Sequence, residues 1–332
     1  MLKKIEVSSK CGLYRMESGQ TGTMDCFVAT TPETRAISND PMVMGVDYTC
    51  RLMASCSRIL IRLAANDLIC LKENETIVFN ILRGGLNFGL REALAHAFGW
   101  NRHGCSFISA QRARDDDSPE KWHIVEGDYS KVYMPKTATI VIGDVVATGT
   151  SLEHAMRAVV VEAQKQGANV RSIVFFTIGG LRAAEILQAT DAMCRKLFSA
   201  YERTTLIYLE GCFTVPVPAT KLTINLTGTD LLRLDAVMAP EFISSQYEDP
   251  AYPIQRCTIY DAGSRAFWIP EFLEDVHGYW SGVKKLAQGG VSFKELLKER
   301  FPDLDPGPFG DVDLSALCDR QLSQVEKFLF IN

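Results

Sequence analysis

The chain has no C-x-x-C pair, although ten cysteines are spread over positions 11, 26, 50, 56, 70, 105, 194, 212, 257 and 318. That spacing argues against a structural zinc site. The five histidines, His96, His103, His123, His154 and His277, share no metal-ligand spacing either, so no metal held directly by a protein cage is expected. Positive charge is in deficit, with 35 Lys and Arg against 40 Asp and Glu and a net charge of -5. A nucleic acid would need a local basic stripe, and in QRARDDD at 111–117 three aspartates offset two arginines, so no nucleic-acid partner is expected. No apolar run reaches the roughly 18 residues of a membrane-spanning helix. The opening MLKKIEVSSKCGLYRMES has no apolar stretch of signal-peptide length. Together with Cys70, Cys105 and Cys212, which sit in or beside apolar runs and read as buried, reduced thiols, these absences predict a cytoplasmic protein without a membrane partner. No internal repeat is evident. No G-x-G-x-x-G occurs, which disfavours a dinucleotide fold, and although Gly84 to Gly89 has the glycine spacing of a phosphate-binding P-loop, Leu90 and Arg91 follow where Lys and Ser or Thr are required.

What is present is an ordinary globular composition, 47% apolar and 23% charged over 332 residues. That length predicts one large domain with an appendage, or two domains. Residues 1–43 read as a polar, turn-rich lead. Leu52, Met53, Cys56, Ile59, Leu60 and Leu63 then follow a helical spacing. TIVFNIL at 76–82 and CSFISAQ at 105–111 read as strands, with a helix opening in GLNFGLREALAHAFGW between them. TIVIGD at 139–144 is a further strand and residues 151–166 a helix, with Gly167 as its stop. NVRSIVFFTI, GLRAAEIL and TTLIYLEG continue as strand, helix and strand. Such alternation predicts an α/β fold, a mainly parallel sheet flanked by helices. After about residue 215 the pattern changes: VPVPATKLTINLTG suggests edge strands, PEFISSQYEDPAYP a loop-rich link, and 270–300 and 313–329 look helical. The expected organisation is 1–74 as an N-terminal lead and helix, 75–215 as the core, and 216–332 as an α+β extension.

The most informative stretch is VIGDVVATGTSL at 141–152. Its apolar residues build a buried strand, so Asp144 falls at a carboxyl end, the edge where ligands bind in open α/β sheets. Ala147, Thr148, Gly149, Thr150 and Ser151 lead into a helix whose first amides have no intrahelical partner and carry the positive end of the dipole. Small side chains would let an anion reach those amides, an arrangement suited to phosphate. A ligand-free reading stands beside it, in which Thr150 and Glu153 form a T-x-x-E capping box.

This run resembles the phosphoribosyl pyrophosphate signature of the type I phosphoribosyltransferases: apolar strand, two acidic residues, two apolar residues, then a T-G-x-[ST] loop. The resemblance implies that Ala147, Thr148, Gly149, Thr150 and Ser151 hold the ribose 5-phosphate, and that positions 143 and 144 bind the ribose hydroxyls. Here Gly143 replaces the first acid, leaving Asp144 as the candidate catalytic carboxylate. Ala147 stands where 6-oxopurine enzymes carry an aspartate, so the A-T-G loop is more similar to that of uracil phosphoribosyltransferases. A second segment, Arg83-Gly84-Gly85, resembles the family's pyrophosphate loop, in which glycine lets backbone amides face diphosphate oxygens. Residues 112–136 are long for a connection and read as a lid or a small hairpin. They occupy the place of the family's catalytic lid, with Arg112, Arg114, Lys121 and Lys131 as candidate diphosphate contacts.

The resemblance implies transfer of a 5-phosphoribosyl group from phosphoribosyl pyrophosphate to a small-molecule nitrogenous base or amine, with release of pyrophosphate. It also implies Mg²⁺ bound mainly through the substrate's diphosphate and ribose, and a homodimer. The acceptor would be chosen by a hood drawn from residues 1–75 or 216–332. YDAGSRAFW at 260–268 faintly resembles a base-binding loop of uracil phosphoribosyltransferases. A non-catalytic sensor that binds the same ligand or a nucleotide is the alternative, favoured by Gly143 and disfavoured by the pyrophosphate loop.

Overall fold

The computed structural model describes residues 1–17, 22–114, 122–126, 129–217, 220, 222–224, 231–255 and 268–329. Its centre is a ten-stranded sheet, and the alternation of strands and helices inferred above is present as drawn. β4 (Thr76–Leu82), β5 (Gly104–Ser109), β9 (Thr137–Val146), β10 (Asn169–Gly180) and β11 (Arg203–Thr214) pair in parallel, in the spatial order β11-β10-β9-β4-β5. α3 (Leu90–Phe98), α4 (Thr150–Lys165) and α5 (Leu181–Leu197) are the crossovers β4 to β5, β9 to β10 and β10 to β11. Parallel strands must be joined by such crossovers, and their burial explains the continuous apolar runs. Ile140, Val141, Ile142, Ile173, Phe175, Phe176, Leu206 and Ile207 are fully buried.

The first 43 residues do more than lead in. β1 (Leu2–Val7), β2 (Gly12–Met16) and β3 (Asp25–Thr30) extend the sheet, and β3 is a sixth parallel strand, paired with β11. β1, with the sequence LKKIEV, has neither strict alternation nor a buried residue, and its register with β2 shifts between Lys4 and Glu6, so no strand period marks it in the sequence. α1 (Pro32–Asn39) carries a capping box between Thr31 and Thr34, and α2 (Gly45–Ala65) buries Leu52, Cys56, Ile59, Leu60 and Leu63 as its spacing predicts.

On the other side of residue 215, β12 (Leu232–Met238) pairs antiparallel with β11. The edge strands expected within 215–228 do not appear among the described residues there. The segment read as a loop-rich link forms two short helices, α6 (Pro240–Ser245) and α7 (Ala251–Ile254). Phe242 of α6 packs edge-on against Phe213, with ring centroids 5.8 Å apart. Asn39 donates to Ser245 at 2.9 Å, and Arg233 to the carbonyl of Ser38 at 3.2 Å. The helices expected toward the C-terminus are α8 (Ile269–Gln288), α9 (Phe293–Arg300) and α10 (Leu314–Leu329). No helix among the described residues is long and apolar enough to cross a membrane.

The cysteines divide. Cys212 is buried, and burial pushes its thiol up to about 11; Cys105 is half-buried, with its thiol also raised by burial. Cys70 is exposed, contrary to expectation, because the apolar run Leu68–Leu71 ends at the surface before the turn that precedes β4.

Candidate functional site

Three carboxyl-end features converge. Asp144 is half-buried near the end of β9, in register with Thr177 on β10. After Val146 the chain bends through Ala147 and Thr148, and α4 begins at Thr150 with Gly149 as its N-cap. Gly149 takes φ +78°, a left-handed conformation that side chains resist, and a Cβ there would lie 2.5 Å from Ile186 Cδ1 and 2.8 Å from Arg182 Cγ. The expected capping box is therefore not the cap. Thr150 is already the first helical residue, and Glu153 instead accepts from Arg157 at 2.8 Å and Arg182 at 3.4 Å. A glycine N-cap offers no side-chain oxygen, so the amides of the first turn depend on something other than a capping side chain.

The loop's hydroxyls differ in what they can offer. Thr148 and Thr150 are half-buried, with their hydroxyl oxygens 3.5 Å apart. The Ser151 hydroxyl donates to the carbonyl of Ala110 at 3.0 Å, so it ties α4 to the end of β5. Ala147 is buried.

The second loop meets the first through Gly143. After β4, residues 84–88 make a 3₁₀ turn that starts at exposed Arg83, with half-buried Gly84 and buried Gly85 behind it. A Cβ on Gly143 would fall 2.6 Å from Cδ1 and 2.7 Å from Cβ of Phe88, and one on Gly85 would fall 3.1 Å from the Gly143 carbonyl oxygen. The fully buried Phe88 ring thus occupies the space that an acidic side chain at 143 would need. The missing acid has a packing cause, one that becomes visible only when segments about 60 residues apart are folded together. Thr49 of α2 donates to Asn87 at 2.9 Å and anchors the turn from behind.

The long connection after β5 contains a hairpin, β6 (Gln111–Arg114) paired with β7 (Trp122–Glu126), which lies against α4. Arg112 and Arg114 stand on β6, and Lys131 on β8 (Ser130–Lys131), an exposed two-residue strand paired with β5. Lys121 lies outside the described residues, as do residues 260–267 of the YDAGSRAFW stretch; Trp268 is exposed at the start of α8.

Two groups at this edge were not anticipated. Arg182, in the first turn of α5, lays its side chain along Gly149. The signal was available in GGLRAAE, where a strand passes directly into a helix. Glu210, near the end of β11, is fully buried with φ +66°. It accepts from Thr30 at 2.6 Å, from the Thr31 amide at 3.0 Å and from Thr34. Burial pushes its carboxyl up to about 7 against those hydrogen bonds and the nearby Arg35 charge. Nothing in the apolar run TTLIYLEG marked this glutamate as internal.

Among the described residues, no group of three or more His, Cys, Asp or Glu side chains is placed to hold a metal ion. No protein-family model matches the chain, and no curated protein matches it. Solved structures with partial likeness include a hypoxanthine phosphoribosyltransferase from Staphylococcus aureus, at 16% identity over 38% of this chain with a TM-score of 0.26. This chain spans 63% of that structure's length. A hypoxanthine-guanine phosphoribosyltransferase from Bacillus anthracis matches at 17% identity, over 39% of this chain and 68% of that one, with a TM-score of 0.26. The Trypanosoma cruzi hypoxanthine phosphoribosyltransferase matches at 11% identity, over 59% of this chain and 93% of that one, again with a TM-score of 0.26. At that TM-score the likeness carries nothing about the chemistry of the site.

Proposed function

We propose that the chain is a phosphoribosyltransferase that takes phosphoribosyl pyrophosphate as donor and a small nitrogenous base or amine as acceptor. The observation that carries this reading is the start of α4. A glycine N-cap leaves the first amides without a capping side chain at the carboxyl edge of the sheet, a few residues after Asp144 and near a second glycine turn. Helix-terminal amides and flanking hydroxyls suit a phosphate dianion, so Thr148 and Thr150 would hold the 5-phosphate. Ser151 contributes its amide, since its hydroxyl is engaged by Ala110. The 83–85 turn would receive the diphosphate, and Asp144 alone would accept from the ribose hydroxyls.

In the reaction the acceptor nitrogen forms a bond to C1 of the ribose while the C1–oxygen bond to diphosphate breaks. Pyrophosphate leaves with that electron pair, and the acceptor's proton passes to solvent. Positive charge builds on the sugar ring as the bond lengthens, so catalysis rests on clamping both phosphate ends and placing Asp144 near the developing cation. The β6–β7 hairpin, which lies against α4, would exclude water from that centre in this reading. For Mg²⁺, Asp144 offers one hard oxygen donor, which fits an ion brought in with the substrate and keeping several waters. When bound, that ion offsets charge on the leaving diphosphate.

Gly143 under the Phe88 ring favours a second reading, a sensor that binds the ligand without turning it over, because one carboxylate is left for two ribose hydroxyls. One experiment separates the two. Pyrophosphate release is measured over a panel of pyrimidines, purines, orotate and simple amines, with calorimetry of phosphoribosyl pyrophosphate in magnesium buffer alongside. Release with one acceptor is expected; binding without release for any acceptor selects the sensor, and no binding at all rejects both.

A further inference from the structure

The geometry points to Arg182 as the cation that closes over the 5-phosphate at the start of α4, exchanging its resting glutamate partners for the ligand. This rests on the reading above that the 147–151 loop takes a sugar phosphate. Arg182 belongs to α5, yet its aliphatic stem lies on Gly149: a Cβ added there would be 2.8 Å from Arg182 Cγ and 3.6 Å from Nε. The guanidinium therefore stands at the mouth of the loop. Its present partners are Glu185, at 2.8 Å within its own helix, and Glu153, at 3.4 Å in the first turn of α4. All three side chains are more than 40% exposed, at 45%, 62% and 41%. Exposed pairs of this kind are weak and screened, so they are readily given up. A phosphate dianion on the helix amides would offer the guanidinium a bidentate, charge-assisted pairing with a doubly charged partner, against the single contact that each glutamate makes now. Glu153 would otherwise repel an anion from the first turn, and Arg157, which donates to it at 2.8 Å, keeps it paired after Arg182 leaves.

An independent feature points to a ligand at the same place. The Thr177 hydroxyl is fully buried and has no hydrogen-bond partner among the described residues. Thr177 is the register partner of Asp144, so the two side chains project from the same face of the sheet. Its hydroxyl also lies beside the Val146 carbonyl, because a Cβ on Gly179 would meet the carbonyl oxygen at 2.5 Å and the Thr177 hydroxyl at 2.8 Å. A buried hydroxyl without a partner among the described residues thus lies by the end of β9, where the loop begins, and such a group calls for an explanation beyond packing.

Calorimetry on the full chain tests the assignment with two probes, ribose 5-phosphate and inorganic pyrophosphate, the latter in magnesium buffer. For Arg182→Gln we expect affinity for ribose 5-phosphate to fall about tenfold, a usual loss for one charge-assisted contact, with pyrophosphate affinity unchanged. Glu185→Gln, which frees the arginine, should tighten ribose 5-phosphate by about two- to threefold, and Arg182→Lys should retain part of the affinity. Thermal midpoints within a degree or so of the parent chain's show that the variants are folded. An Arg182→Gln affinity within about twofold of the parent, or equal losses for both probes, overturns the assignment. A parent chain that binds neither ribose 5-phosphate nor phosphoribosyl pyrophosphate overturns the reading of the loop itself.

Discussion

At the scale of single residues, Gly143 shows how packing overrides a motif. Replacing it with aspartate would supply the missing acid but drive a side chain into Phe88. We expect Gly143→Asp to cost about 2–4 kcal/mol in urea unfolding and to weaken donor binding, since overpacking and a buried carboxylate act together. Adding Phe88→Ala to that variant should cost less than Phe88→Ala costs the parent, and a double-mutant cycle with no coupling would refute the packing account. Glu210 gives a pH dependence with a definite sign. Its carboxyl is raised from 4.5 to about 7 in the folded chain, so between those values the folded state binds the proton and the unfolded state does not. The stability this group contributes is full below about pH 4.5 and is lost as pH rises to about 7, amounting to about 3 kcal/mol at most. Glu210→Gln should flatten that slope in denaturant titrations from pH 5 to 8; an unchanged slope assigns the pH dependence to other groups.

At the scale of elements, the site consists of two turns held from behind. The loop before α4 depends on the left-handed Gly149, packed under Ile186 and Arg182. Gly149→Val should cost about 2–3 kcal/mol through the forced positive φ and the collision, and should abolish binding of the sugar phosphate. Circular dichroism melts together with calorimetry check both halves, and a stable, binding-competent variant would show that the turn tolerates side chains. The turn at 84–88 leans on the hydrogen bond from Thr49 to Asn87. Thr49→Val keeps the shape of the side chain but leaves the Asn87 carbonyl unpaired, costing about 1–3 kcal/mol. Product inhibition by pyrophosphate should weaken in that variant while ribose 5-phosphate affinity holds.

At the scale of the whole molecule, the sheet joins chain segments on both sides of the core. The boundary near residue 215 is crossed by the β11–β12 pairing, the Phe213–Phe242 contact and the polar links from Ser38 and Asn39 to Arg233 and Ser245. A fragment ending at residue 215 should therefore expose the Phe213 ring, leave Asn39 unpaired and lose cooperative thermal unfolding. A sharp transition at the parent's midpoint would show that the core folds without its extension. This chain-wide closure also explains why the first three strands were illegible. Each is short, and β3 is buried by pairing with β11, about 180 residues away.

The apolar runs of β4, β9, β10 and β11, the periodicity of α2 and α4, and the glycine and hydroxyl residues after Asp144 were all readable from the sequence, because hydrophobic period and turn chemistry are local properties. They determined the parallel α/β sheet and the location of the candidate phosphate loop at its carboxyl edge. Contact between remote segments decided the rest. It placed Phe88 over Gly143, laid Arg182 along Gly149, buried Glu210 among threonines from the N-terminal strand and its following helix, and made Gly149 rather than Thr150 the cap of α4. Those outcomes depend on which side chains share a volume, and sequence separation carries no information about that until the sheet has closed.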